Sequence, residues 1–308
     1  MRRLAAIDLG TNTVHLLVVE GRPPEWRVVH KEQRVTRLGE GQAGSDNLQP
    51  TAMRRTAEAV AEFVRRAEEL GARDVRVVAT SAVREAVNAD DFLDRVRRSS
   101  GRQVRVISGE EEATLTLLGV RDGLPHLGGE FLLFDIGGGS TEFVLARAGR
   151  PVAVVSLRLG VVELAERFLD EGPVGAGSYA AMAATVDARL AAGLTEPILR
   201  HGAPALDGSA GTIPTLAALD LGLEAYDPAL VHGHRLERAA VERLLGRLVA
   251  LSLAERAALP CLEPGRADLV VAGSAICLAA LDRLRFDALV VSDRGLREGI
   301  LCEILAER

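Results

Sequence analysis

Lysine is almost absent from this 308-residue chain, in which Lys31 is the one residue of that type. A Walker A motif needs Gly-Lys followed by Ser or Thr, whereas Lys31 is followed by Glu32. The sequence therefore excludes the P-loop class of nucleotide hydrolases. Aromatic residues make up 3% of the chain. This scarcity argues against a nucleic-acid partner, because proteins that bind single strands stack the bases on aromatic rings.

Cysteines and long apolar runs are scarce as well. The three cysteines, Cys261, Cys277 and Cys302, are far apart and form neither a CxxC pair nor a cluster with the six histidines. They predict reduced thiols and a cytoplasmic protein. The apolar run near the N-terminus is interrupted by Asp8, so no signal peptide is expected. The run 269–281 is too short to span a membrane, and we expect no membrane association.

Two segments of the chain read almost alike. Residues 8–15 read DLGTNTVH, and residues 135–142 read DIGGGSTE. Each begins with an Asp at the end of an apolar run and passes through Gly and hydroxyl residues into a second apolar run, which predicts a strand, a tight turn and a returning strand. Such an internal repeat predicts two related domains that face each other across a cleft.

The order of predicted elements gives the fold class. Each half begins with strands and continues with alternating helices and strands, which predicts an α/β protein built from two ribonuclease-H-like domains. The segment Gly123-Leu124-Pro125 is the expected boundary, so the domains are 1–124 and 125–295. Near the C-terminus, the apolar run Leu269–Ala272 is predicted to be a strand, followed by a helix over Ala275–Leu284.

The two turns carry groups that bind phosphate. Backbone N–H groups and hydroxyls in such turns hold phosphate oxygens, and the neighbouring carboxylates can hold a divalent cation. The candidate cation ligands are Asp8, Asp135 and Glu142. The candidate phosphate-binding residues of the turns are Gly10, Thr11, Asn12, Thr13, Gly137, Gly138, Gly139, Ser140 and Thr141. A plain hairpin turn is the alternative, although three consecutive glycines are more than a plain turn needs.

Two further segments carry charged candidates. In ATSAVREA, Arg84 follows a strand end at a predicted helix start and could bind a phosphate together with the helix N–H groups. In ISGEEEA, one of the carboxylates of residues 110–112 could act as the general base for a water molecule. The alternatives are a surface arginine and acidic residues that simply complement a helix dipole.

Five segments in this order, AIDLGTNT, ATSAVREA, VISGEEEA, DIGGGSTE and GSAGT, resemble the exopolyphosphatase / guanosine pentaphosphate phosphohydrolase family of the actin-like ATPase superfamily. The resemblance extends from residue 4 to about residue 305. It implies that Glu112 is the general base and that Asp135 and Glu142 are metal and water ligands. It implies phosphate binding by Arg84 and by the two turns. It also implies that the last helix, 296–308, crosses back to the first domain.

The resemblance further implies a Mg²⁺-dependent exopolyphosphatase that is stimulated by K⁺ and forms a homodimer. The chain ends at Arg308, as short family members do, and is expected to release long polyphosphate between cuts. Three alternatives stay open. They are hydrolysis of guanosine pentaphosphate, a non-catalytic sensor of guanosine pentaphosphate or polyphosphate, and a sugar kinase of the same superfamily.

Overall fold

The computed structural model describes residues 2–22, 26–121, 123–124 and 129–307. It contains two compact units: Met1–Gly123 together with Gly295–Arg308, and Leu124–Arg294. The predicted boundary residue Pro125 lies outside the described residues. The second unit is thus inserted between the body of the first unit and its last segment.

The first unit is built on a mixed sheet. Its elements are β1 (Arg3–Leu9), β2 (Thr13–Glu20), β3 (Arg27–Val35), α1 (Pro50–Glu69), β4 (Ala72–Ala79), α2 (Ser81–Arg84), α3 (Ala89–Ser100), β5 (Val104–Val106), α4 (Gly109–Arg121) and, from the last segment, α13 (Leu296–Ala306). The strand order is β3-β2-β1-β4-β5. The first three strands are antiparallel neighbours, whereas β4 and β5 continue the sheet parallel to β1.

Both faces of this sheet are covered, which explains why residues 4–7 of β1 are all apolar. Side chains alternate between the faces of a strand, so Ile7 packs in a cluster with Phe63 of α1, and Leu4 packs in another cluster with Ile300 and Leu301 of α13. Burying one such side chain contributes about 1.5–3 kcal/mol. The last segment of the chain is therefore part of the core of the first unit.

Helices α13 and α4 approach each other to backbone contact. A Cβ added to Gly299 would lie 1.8 Å from the carbonyl oxygen of Leu115, and one added to Gly119 would lie 2.0 Å from that of Gly295. An ion-pair network reinforces this contact, because Arg105 of β5 binds both Glu303 of α13, at 2.6 Å, and Glu111 of α4. Any side chain at either glycine would push the two helices apart.

The second unit repeats the arrangement. Its elements are β6 (Glu130–Ile136), β7 (Thr141–Arg147), β8 (Arg150–Leu157), α5 (Val161–Phe168), α6 (Ala176–Gly193), α7 (Glu196–Leu199), β9 (Leu206–Ser209), α8 (Thr212–Asp220), α9 (Pro228–Val231), β10 (Arg235–Glu237), α10 (Arg238–Ala250), α11 (Leu253–Ala257), α12 (Val270–Leu284) and β11 (Ala288–Val291). The strand order is β10-β11-β9-β6-β7-β8.

The two sheets correspond strand for strand. Strands β6, β7, β8, β9 and β11 occupy the places of β1 to β5, with the same antiparallel and parallel neighbours, and β10 is added at one edge. The prediction of an α/β protein with two ribonuclease-H-like units is confirmed. In each unit the parallel strands bring their carboxyl ends to one edge of the sheet, where ligands of such folds usually bind.

One predicted strand is wrong. Leu269–Ala272 is not a strand, because α12 begins at Val270 and runs unbroken to Leu284. The hydroxyl of Ser274 donates to the carbonyl of Val270 at 2.7 Å, which is a contact between successive helical turns. The helix is buried on nearly every side, so its sequence has no polar face, and a short apolar run cannot distinguish a strand from a fully buried helix.

The scarcity of cysteines and of long apolar runs in the sequence has its counterpart in the structure. Cys261, Cys277 and Cys302 are free thiols, and burial raises the pKa of Cys277. Among the helices in the described ranges, none combines the length and the apolar composition needed to cross a bilayer.

Candidate active site

The first turn of the repeat lies after β1 and is closed by a hydrogen bond of 3.0 Å from the N–H of Gly10 to the carbonyl of Thr13. The loop 36–39 supports it: two N–H groups of this loop donate to the carbonyl of Asn12, and a third donates to the carbonyl of Thr11. The carbonyl oxygens, which would repel an anion, are therefore occupied by hydrogen bonds from the protein.

The second turn, after β6, is built in the same way. The N–H of Gly137 donates to the carbonyl of Ser140 at 2.9 Å. Here the start of α5 supports the turn, because the N–H of Val161 donates to the carbonyl of Gly137 and that of Val162 donates to the carbonyl of Gly138. The two turns thus share both their closure and the use of a second segment to hold their carbonyls.

This arrangement leaves amide groups for a ligand. Within the described residues, the N–H groups of Thr11, Gly138 and Gly139 donate to no protein group. Each supporting segment approaches through a glycine: a Cβ on Gly39 would lie 2.3 Å from Cγ2 of Thr11, and one on Gly160 would lie 2.2 Å from the carbonyl of Gly138. In each turn, amides of this kind are available to bind an anion.

The side chains of the two turns are mostly buried. The amide of Asn12 donates to the hydroxyl of Thr13 at 3.3 Å, and both residues are at most 8% exposed. In the second turn, Thr141 is fully buried and its hydroxyl donates to the carbonyl of Leu159. The Thr141 hydroxyl therefore holds the segment before α5 in place, next to the turn that this segment supports.

Arg84 and Glu112 come together at the same edge of the first sheet as the first turn. Arg84 ends α2, which follows β4, and Glu112 lies in the first turn of α4, which follows β5. Nη1 of Arg84 donates to Oε2 of Glu112 at 3.0 Å and to the carbonyl of Ile107 at 3.1 Å. Thr80, at the end of β4, donates its N–H to the carbonyl of Leu9 beside the first turn.

The neighbours of Glu112 have other surroundings. Glu111 forms an ion pair with Arg105, and Glu110 is exposed. The carboxylate of Glu112 is only 13% exposed. Of the three acidic residues at this helix start, Glu112 is therefore the one that combines burial with contact to Arg84.

Asp135 and Glu142 are direct neighbours in the second sheet. They are paired across β6 and β7, so their side chains lie on the same face. Asp135 accepts a hydrogen bond of 2.9 Å from Ser209, and Glu142 accepts one of 2.7 Å from Ser156. Burial raises the pKa of Asp135 to about 6, against a lowering effect of the Ser209 hydroxyl. A cation beside this pair would favour the ionised form.

The equivalent position in the first unit is different. Asp8 is paired across β1 and β2 with His15, which takes the place of Glu142. No group of three or more His, Cys, Asp or Glu residues in the part of the chain that the structure describes has the arrangement of a metal site. A cation at Asp135 and Glu142 would therefore need further oxygens from water or substrate, which is usual for Mg²⁺.

The turn of the GSAGT segment is covered by an arginine. A Cβ on Gly211 would lie 1.6 Å from Nη1 of Arg266, and Arg266 also forms an ion pair with Glu263 at 2.8 Å. A Cβ added to Gly273 of α12 would lie 2.5 Å from the hydroxyl of Thr212. This turn is packed from both sides.

Sequence reasoning missed the residues that support the site. It named neither Ser156 nor Ser209 as a partner of a carboxylate, and it did not connect Gly39 or Gly160 with the turns. Only the register of β7 and β8 places Ser156 opposite Glu142. The one signal in the sequence was a serine, Ser156, near the end of the third strand of the second half.

Comparison with known proteins agrees with this architecture. Residues 17–308 match the model of the Ppx/GppA phosphatase family. The chain is 36% identical to exopolyphosphatase 2 of Mycobacterium tuberculosis, with 97% of this chain and 98% of that protein aligned. It is 30% identical to the guanosine-5'-triphosphate,3'-diphosphate pyrophosphatase of Vibrio vulnificus, with 98% of this chain but 59% of that protein aligned. A crystal structure of an exopolyphosphatase from Cytophaga hutchinsonii superposes with a TM-score of 0.91 at 29% identity, covering 99% of this chain and 98% of that one.

Proposed function

Because this chain belongs to the Ppx/GppA phosphatase family, we propose that it is an exopolyphosphatase that releases terminal orthophosphate from inorganic polyphosphate. The observation that carries the proposal is the contact of Glu112 with Arg84 at the sheet edge where the first turn lies. It joins a base to a phosphate-binding cation. The extent of the similarity to exopolyphosphatase 2, nearly the full length of both chains, supports polyphosphate as the substrate.

In the proposed reaction, Glu112 accepts a proton from a water molecule while the water oxygen attacks the terminal phosphorus. The bond from that phosphorus to its bridging oxygen breaks, and the electron pair stays on the shortened chain. Arg84 donates to the oxygens of the terminal phosphate, and the amides of the first turn, at the same edge of the first sheet, hold phosphate oxygens as well. Fixed donors of this kind stabilise the charge of the transition state without having to reorganise.

A divalent cation is part of this proposal. The donor set of Asp135 and Glu142, two adjacent carboxylates each held by a serine hydroxyl, fits a cation that also takes substrate oxygens. When bound, Mg²⁺ would neutralise negative charge on the phosphate oxygens. Asp8 as a third ligand and K⁺ as a stimulating ion stay predictions.

The proposal is tested by measuring phosphate release from polyphosphates of defined length, from guanosine pentaphosphate, and from ATP with and without sugars. Release from polyphosphate at the highest kcat/KM supports it. Faster turnover of guanosine pentaphosphate would assign the activity of the Vibrio vulnificus relative, which is the second candidate because of the similarity over 98% of this chain. Binding of either compound without phosphate release would indicate a sensor, and sugar-dependent consumption of ATP would indicate a kinase.

We also propose a homodimer located in the cytoplasm. The three separate free thiols fit a reducing compartment. Sedimentation equilibrium of the purified protein tests the dimer, and a fluorescent fusion imaged in cells tests the location.

A further inference from the structure

Four polar side chains form one row across the sheet of the second unit. The strand register places Ser156 opposite Glu142, Glu142 opposite Asp135, and Asp135 opposite Ser209. Directly opposed residues of neighbouring strands project to the same face of a sheet. The row therefore runs over β8, β7, β6 and β9, with two carboxylates in the middle and a serine at each end.

The outer members of this row donate hydrogen bonds to the inner members. The hydroxyl of Ser156 donates to Oε1 of Glu142 at 2.7 Å, and the hydroxyl of Ser209 donates to Oδ2 of Asp135 at 2.9 Å. Glu142 is 2% exposed and Ser209 is fully buried. In this environment each hydroxyl fixes the rotation of the carboxylate that it contacts.

We propose that Ser156 and Ser209 are positioning residues, which hold Glu142 and Asp135 in the orientation in which the two carboxylates bind one divalent cation. The inference rests on the proposed function only in taking Mg²⁺ as the physiological ion. Groups that orient metal ligands from outside are worth about 10- to 100-fold in metal affinity.

The repeat within the chain provides an internal comparison. The equivalent row in the first unit consists of Gln33, His15, Asp8 and Val78. It has one carboxylate instead of two, and Val78 occupies the place of Ser209. Because two opposed carboxylates bind a divalent cation far better than a carboxylate opposite an imidazole, the cation is assigned to the row of the second unit.

The test is cation binding without substrate, measured by electron paramagnetic resonance of added Mn²⁺ and by calorimetry with Mg²⁺. The decisive pair of variants is Ser156→Thr and Ser156→Val, which have the same shape and both favour a strand, but only Thr keeps a hydroxyl. We expect Ser156→Val to bind Mn²⁺ about 10- to 100-fold more weakly than wild type, and Ser156→Thr to recover most of the affinity. Ser209→Ala should weaken binding to a similar degree.

The matched control is Ser292→Ala. Ser292 is 1% exposed and follows β11 at the same end of the sheet, but its hydroxyl donates to the carbonyl of Arg294. We expect this variant to keep its Mn²⁺ affinity. Glu142→Gln should lose it, which verifies that the measured ion is the one in the row.

Equal Mn²⁺ affinity of Ser156→Val and Ser156→Thr would overturn the inference, as would unchanged binding by Glu142→Gln. Thermal unfolding of each variant shows whether it is folded, and the Thr and Val pair decides the question even where Ser209→Ala does not fold. If wild type binds Mn²⁺ through the row but releases no phosphate from polyphosphate, the proposed function fails and the positioning role stands.

Discussion

Nη1 of Arg84 lies 3.0 Å from Oε2 of Glu112 and 3.1 Å from the carbonyl oxygen of Ile107. The guanidinium is thereby fixed between the end of a strand and the carboxylate of a helix start. A phosphate that binds Arg84 must approach the carboxylate of Glu112, because the guanidinium of Arg84 already donates to that carboxylate. In the proposed reaction, Arg84 would thus bring the base and the substrate together.

The first prediction concerns the base. Glu112→Gln keeps the shape of the side chain but removes its basicity, so kcat for phosphate release should fall by at least about 10²-fold, with KM nearly unchanged. The measurement is steady-state kinetics with a defined polyphosphate. Glu110→Gln, at an exposed position of the same helix start, is the control and should be close to wild type. Near-normal turnover of Glu112→Gln would place the base elsewhere.

The second prediction concerns the carboxylate pair. Asp135→Asn and Glu142→Gln each remove one negative charge from adjacent positions, so the Mg²⁺ concentration needed for half-maximal rate should rise. Activity measured over a Mg²⁺ titration provides the test. Glu130→Gln changes a carboxylate at the other end of β6, where it pairs with Arg147, and should leave the titration unchanged. An unaltered Mg²⁺ requirement in both Asp135→Asn and Glu142→Gln would show that the ion binds at another place.

The third prediction concerns the support of the second turn. Gly160→Ala would place a Cβ 2.2 Å from the carbonyl of Gly138, so the turn has to shift and its amides lose their alignment. Loss of one such donor typically costs 10²- to 10³-fold, and kcat/KM for polyphosphate should fall by about 10²-fold. Gly177→Ala is the control, because no atom lies within 4 Å of its added Cβ. Full activity of a folded Gly160→Ala enzyme would argue against phosphate binding by this turn.

The fourth prediction concerns stability alone. Arg285 caps the C-terminus of α12 with φ of 60°, a left-handed conformation that glycine adopts without steric cost. Arg285→Gly should therefore raise the free energy of unfolding by about 1 kcal/mol and leave turnover unchanged. Arg283→Gly, within the last turn of the same helix, should instead lower it by about 1 kcal/mol. Chemical denaturation of the two variants distinguishes these opposite effects.

The local features of the fold were predictable from the sequence. Each hairpin of the repeat is defined by an apolar run, an Asp, a short turn and a second apolar run, and all of these are neighbours in the chain. The strand predicted at Leu269–Ala272 was wrong for a physical reason: α12 is buried on so many sides that its sequence shows no helical periodicity. The short edge strand β10 has only three residues, too few for an alternating pattern.

The contacts within the site were less predictable. Glu112 and Arg84 are 28 residues apart, and only the parallel order of β1, β4 and β5 brings their helices to one edge. Likewise, the contact of Ser156 with Glu142 depends on the register of two strands, which a shift of one residue would abolish. Residue types identified the candidates, but the sheet determines which of them meet.

The position of α13 has a consequence for how the protein is made. Leu4 and Ala6 of β1 share a core cluster with Ile300 and Leu301 of α13, so residues of β1 pack against residues that are synthesised after the whole second unit. During translation, the face of the first sheet on which α13 packs stays exposed to solvent until the whole of the second unit has left the ribosome. The second unit, whose segment is continuous, can fold first, and the first unit closes only after α13 has been synthesised. Until α13 packs on this face, the apolar side chains of Leu4 and Ala6 have no cover on that side of the sheet.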